Sequence, residues 1–206
     1  MEDEMTTYQM PASFLAALTL LCGGFACDDD TAATSDTVDP AACQDPQWTP
    51  GACVAGTTFE TPATTTDHVP EPDPITYVDN PPASGLHRPV WARWGEFSYL
   101  APEWYIHNLE HGGIAVLYHP CTDAASLTAL RNLLDARQDD DGGPFRYVMT
   151  PYPDLPTGIS VLAWEWTYAA ECVKPDEITT FIDAHYRMAR EDVAGDGPFI
   201  DGWMQR

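Results

Sequence analysis

Basic residues are scarce. The 206-residue chain has one lysine, Lys174, and eight arginines against 32 Asp and Glu, for a formal charge of −23. Neutralising a phosphate backbone takes clustered Lys and Arg, so a general nucleic-acid binder is excluded. A long apolar run is also missing. The longest, PASFLAALTLLCGGFAC at 11–27, is too short and too Gly-broken for a permanent bilayer span. No CxxC pair occurs, which disfavours a zinc ribbon or a thioredoxin-type redox site. There is no GxGxxG, Walker loop or GxSxG elbow, and no internal repeat. What is present is core-forming material: 44% hydrophobic residues with seven Trp, nine Tyr and seven Phe, which excludes disorder of the whole chain. The length suits one domain with tails.

The charge divides the chain. No Lys or Arg precedes Arg88, while residues 1–74 carry thirteen Asp and Glu. The apolar run ends in small residues as a secretory h-region does, although MEDEMTTYQ ahead of it is acidic. A start at Met10 would leave a short, uncharged n-region. Cys27 ends the run and is followed by three Asp, which resembles a lipoprotein signal in which the cysteine becomes the lipidated first residue. Residues 1–27 are therefore read as an export signal and the protein as a monomer of the cell envelope, held to a membrane through lipid on Cys27. Plain cleavage near the same place would make it a secreted protein instead. From 28 to 74 the chain is rich in Thr, Ala, Pro and Asp, a composition that cannot offset its ordering entropy and reads as a disordered, self-repelling tether. With Cys22 lost to the signal and Cys27 to lipid, four cysteines remain: Cys43, Cys53, Cys121 and Cys172. Export makes disulfides the expectation. The short loop CQDPQWTPGAC favours Cys43–Cys53, leaving Cys121–Cys172.

Residues 75–206 read as a single globular domain. Ile114–Tyr118 is continuously apolar and suits a buried strand; Thr122 or Asp123 caps a helix with Leu127, Leu130, Leu133 and Leu134 on one stripe. Phe145–Met149 is a second strand and Ile159–Tyr168 a third, with a Pro- and Gly-bearing turn between them. Pro175 opens a last helix with Ile178, Phe181, Ile182, His185 and Tyr186 on one face. The order strand, helix, strand, strand, helix gives a small mixed sheet of α+β class. Its first two strands are parallel and the third is antiparallel to the second. Residues 75–112 form an irregular cover rich in aromatics and proline.

That cover carries the chemistry. His107 and His111 are four apart, so one helical turn points both imidazoles the same way, and His87 on a Pro-bounded loop can fold back toward them. Three imidazoles with one further donor make a transition-metal site. The soft thioether of Met149 would be an added ligand were the ion copper. HNLEH also fits the H-x-x-E-H pattern in which Glu110 would activate a metal-bound water. In that class, however, the motif lies inside a long helix, and here Gly112-Gly113 ends the helix at once. His111 before Gly also fits a helix end that needs no metal. His119 reads as surface or structural, His185 as a core residue, and His68, in the tether, as solvated.

The segments PPASGLHRPVWARWG, HNLEHGGIAVLYHP and VMTPYPDLP, in this order, resemble the bacterial family known as domain of unknown function 3105. The likeness covers about residues 75–200. It implies that His87, His107, Glu110 and His111 are the family's motif positions, with Pro81, Pro82, Ser84 and Gly85 around His87. It also implies an exported or anchored protein with a short anchor before the domain. It implies no reaction.

Three readings follow: an envelope-anchored module binding one copper or zinc ion through His87, His107 and His111; a structural or interaction domain in which these residues are packed without metal; and a metal-dependent hydrolase with Glu110 as base. No nucleotide cofactor is expected. The readings part on whether the imidazoles of His87, His107 and His111 converge.

Overall fold

A computed structural model describes residues 39 and 41–205. The export signal and the lipidation candidate Cys27 lie outside the described residues.

One seven-stranded mixed sheet organises the fold. Its strands are β1 (Thr57–Glu60), β2 (Gly95–Phe97), β3 (Ile114–Tyr118), β4 (Tyr147–Pro151), β5 (Ile159–Ala163), β6 (Trp166–Ala170) and β7 (Trp203–Met204). Their spatial order is β1-β6-β5-β3-β4-β2-β7. Among the described residues three helices accompany them: α1 (Pro102–Glu110), α2 (Ala124–Asp135) and α3 (Pro175–His185). The class is α+β, as expected.

Strands β3, β4 and β5 are buried at nearly every residue because both faces of the sheet are covered. On one face, Ile114, Val116, Met149 and Val161 pack against Leu130 and Leu134 of α2 and Ile178, Phe181 and Ile182 of α3. On the other, Ala115, Leu117, Val148 and Leu162 pack against Tyr105, Ile106 and Leu109 of α1 and the cover residues Ala83, Ala92 and Leu100. Asp123 caps α2 by accepting from the backbone N–H groups of Ala125 and Ser126. Pro102 and Pro175 stand in the first turns of α1 and α3, where no N–H is needed.

The β3–α2–β4 crossover joins parallel strands, as expected. Strand β5 runs antiparallel as expected, but its hydrogen-bonded neighbour is β3 rather than β4. The single strand expected over 159–168 is a hairpin, β5–β6, turned at Glu165 in the left-handed region with φ 66°.

The acidic segment corrects the tether expectation over its described part. Strand β1, exposed along its whole length, pairs antiparallel with β6. The N–H groups of Gly51, Gly56 and Ala63 donate to the carboxylates of Glu171, Glu177 and Glu165. Edge pairing and backbone hydrogen bonds order this segment, not buried apolar area, so composition gave no sign of it. All four cysteines are in disulfides, but the pairing is crossed: Cys43–Cys121 and Cys53–Cys172. The reason is local. Residues 43–53 lie across one end of the sheet, where Trp48 stacks on His119 at 3.9 Å, so each cysteine meets the loop beneath it before it meets the other.

Candidate metal centre

Helix α1 begins the site. Residues 107 and 110 are three apart and share one face, and residue 108 faces the cover. There Asn108 accepts from the Ala92 N–H at 2.9 Å and donates to the Ala92 carbonyl at 2.7 Å, locking the cover to the helix. The helix stops because Gly112 adopts φ 83°, a left-handed value suited to glycine. Gly113 admits no side chain, since a Cβ there would lie 2.5 Å from the Trp94 ring. The run HNLEHGG thus alternates site residues with residues that fix where the helix ends.

Ligand atoms of His68, His87, His107 and Glu110 lie within 4.8 Å of one another. His87, His107 and Glu110 are buried, and the His68 side chain is 46% exposed. The Glu110 Oε2 atom is 3.0 Å from His87 Nε2 and 3.9 Å from His68 Nε2. The imidazoles converge: ring centroids are 4.8 Å apart for His87–His107, 4.8 Å for His68–His107 and 4.5 Å for His107–His111.

The outer nitrogens define which atoms face inward. His87 Nδ1 donates to the Gly85 carbonyl at 2.7 Å, and His107 Nδ1 donates to the Arg88 carbonyl at 2.6 Å. A carbonyl only accepts, so Nδ1 of each ring carries a proton, and it is Nε2 that faces the cluster as the atom able to bind an ion. Metal-binding histidines are oriented in this way. His87 Nε2 is buried without a well-formed hydrogen bond, although Glu110 Oε2 is close by. With His87 neutral, two acceptors face each other, and either a proton on His87 Nε2 or a metal ion between them satisfies both.

Electrostatics agree. Burial pushes the His107 pKa down to about 4, against the pull of the Arg88 carbonyl toward the protonated ring. Burial, then the neighbouring His107 ring, holds His111 at about 4 as well. Both rings are neutral at pH 7. Burial opposes charge on the Glu110 carboxylate, but the His87 ring beside it, with His107 and His68 beyond, outweighs this and holds its pKa below the usual range.

Two of the expected ligands, Met149 and His111, lie outside the cluster, and His68 and Glu110 stand in it instead. Met149 packs in the core on the sheet face away from α1, among α2 and α3 residues, and does not reach the cluster. Its neighbour Val148 takes the α1 side, because adjacent strand residues face opposite ways. His111 is adjacent to the cluster but outside the four converging donors: its Nε2 lies 3.1 Å from His107 Nε2 and 3.2 Å from Glu191 Oε2. As the C-cap residue, it has already left the helical path. His68 is the residue the sequence reading missed. It was read as solvated, yet a parallel bridge ties it to His87, with Val69 N–H donating to the His87 carbonyl at 2.8 Å. The signal that could have found it is its place as the last histidine upstream of the motif. His185 stacks on Trp166 at 4.5 Å and packs tilted against Phe181 at 4.7 Å, half-buried and far along the chain from the cluster.

The donor set suits a borderline transition ion. Three imidazoles and a carboxylate match zinc or copper(II), whereas copper(I) would call for thiolate or thioether, and the described cysteines are all oxidised. Tetrahedral bonds of about 2.0–2.1 Å space ligand atoms about 3.3 Å apart. The cluster meets that spacing if its widest pairs, at up to 4.8 Å, draw in by about 1.5 Å.

No curated protein and no solved structure matches the chain. The profile of the family described as "Protein of unknown function (DUF3105)" matches residues 68–196, a span that begins at His68 and takes in every residue of the cluster. The chain belongs to that family.

Proposed function

We propose that the protein is an extracytoplasmic metal-binding module that holds one zinc or copper(II) ion on His68, His87, His107 and Glu110. The carrying observation is the pair of inward-facing acceptors, His87 Nε2 and Glu110 Oε2, 3.0 Å apart in a buried setting. That buried approach calls for a cation between the two groups, a metal ion or a proton on His87, and the convergence of four ligand atoms within 4.8 Å favours the metal. All four ligands would come from the protein, and Glu110, the base a hydrolase would need, stands among them. Catalytic zinc sites keep a position open for water or substrate. The arrangement therefore favours holding and releasing an ion over turning over a substrate.

Two disulfides fit an oxidising, extracytoplasmic setting. Among the described residues, no helix is long and apolar enough to cross a membrane. Anchoring through lipid on Cys27 completes the reading. A Cys27→Ser variant should then leave the membrane fraction of expressing cells, and retention there would refute the anchor.

The test of the site is metal content. Protein purified without a His-tag and reconstituted with zinc or copper(II) should hold one ion per chain, and His107→Ala should lose at least 100-fold in affinity. Absence of stoichiometric metal in the reconstituted wild type would overturn the proposal.

A further inference from the structure

Two of the site's imidazoles are governed by one residue, Arg88. Its backbone carbonyl takes the Nδ1 proton of His107 at 2.6 Å, fixing which nitrogen of that ring faces the cluster. Its side chain, almost wholly buried, runs the other way. Arg88 Nη1 lies 3.1 Å from the carbonyl of Val69, 3.2 Å from that of Pro70 and 2.8 Å from that of Asp73. These three carbonyls belong to the loop that begins at His68. Arg88 Nη2 also lies 3.7 Å from Glu103 on α1, and the Arg88 N–H donates to the Glu103 carbonyl at 2.8 Å. The residue is thereby fixed to the helix that carries His107 and Glu110.

His68 needs such a hold. It is the half-exposed member of the cluster, and its own strand contact is a single bridge to His87, with hydrogen bonds of 2.8 and 3.4 Å. Without the guanidinium, the carbonyls of residues 69–73 would lose a charge-assisted partner, and ordering this loop would become a cost of ligation.

We infer that Arg88 is a positioning residue which latches the 68–73 loop so that His68 is presented to the ion. This rests on the metal-site reading above. His68 is then the ligand through which the ion enters and leaves, since the other three donors are buried and need not move.

A double-mutant cycle with cobalt(II) as the visible-absorbing probe, and zinc in competition, tests it. Arg88→Met keeps the main-chain carbonyl to His107 and removes only the grip on the loop. It should weaken metal binding about 10–100-fold, the range usual for loss of an outer-sphere partner. In a His68→Ala background the same change should cost less than about twofold, because the ligand it positions is gone. A metal-free readout accompanies this: the Val69 amide should exchange its hydrogen at least tenfold faster in Arg88→Met than in wild type. If Arg88→Met does not fold, Arg88→Gln, which is uncharged and too short to reach the three carbonyls, takes its place in the cycle. Equal losses in both backgrounds, or unchanged affinity and exchange in the variant, would overturn the inference while leaving the metal site standing. A wild-type protein that binds neither ion would refute the underlying reading instead, and the Val69 exchange result would still decide whether the latch exists.

Discussion

At the scale of single residues, burial keeps two imidazoles neutral, His107 in the cluster and His111 beside it. His107 and His111 sit near 4 in the fold and near 6.5 when the chain is unfolded. Between those values the unfolded chain binds more protons than the folded one, so acid favours unfolding. Thermal melts of the metal-free protein should be level above about pH 6.5 and fall steadily between about pH 6.5 and 5, before carboxylate titration dominates. Melting temperatures unchanged over that interval would show that these rings are not held neutral. Spacing made His107, Glu110 and His111 legible as a cluster, and a Pro-bounded loop made His87 a partner. His68 was not legible, because it arrives through a backbone bridge that its Thr- and Asp-rich surroundings do not announce. Met149 was misassigned, because softness as a ligand says nothing about which face of a strand a residue takes.

At the scale of elements, α1 is short by necessity. Its last turn must deliver Glu110 inward and then release the chain into β3 within three residues, and Gly112 and Gly113 make that exit possible. Gly113→Ala would drive a methyl into the Trp94 ring and toward the Asn108 carbonyl, 3.0 Å away. The strain should cost about 1–3 kcal/mol, read as a lowered denaturation midpoint with an unchanged slope. A midpoint within error of wild type would show that Trp94 yields freely. Apolar runs and capping residues placed β3, α2, β4 and α3 close to where they fold. The hairpin at Glu165 went unseen because a non-glycine turn in the left-handed region carries no sequence mark. Strand β1 went unseen because it is exposed throughout and is held by an edge, a type of order that hydropathy does not record.

At the scale of the whole molecule, the sheet and two long-range disulfides hold the fold, with Cys43 and Cys121 separated by 78 residues and Cys53 and Cys172 by 119. Closing loops of this length removes much of the unfolded chain's freedom, typically about 2–4 kcal/mol for each bridge. Non-reducing peptide mapping should recover the 43–121 and 53–172 pairs, and reduction should lower the melting temperature substantially. Recovery of a 43–53 peptide would contradict the arrangement. Both bridges meet the sheet at one end, just past β3 and β6, whereas the metal site lies where α1 runs into the start of β3. This has a mechanical consequence. Tension arriving from upstream of Cys43 passes through a covalent bond to Cys121 and into β3, the fourth of the seven strands and the centre of the sheet. Strand β1, the one most easily peeled, lies downstream of both bridges and is shielded from that pull, so a protein held from its N-terminal side bears the strain where its structure is strongest.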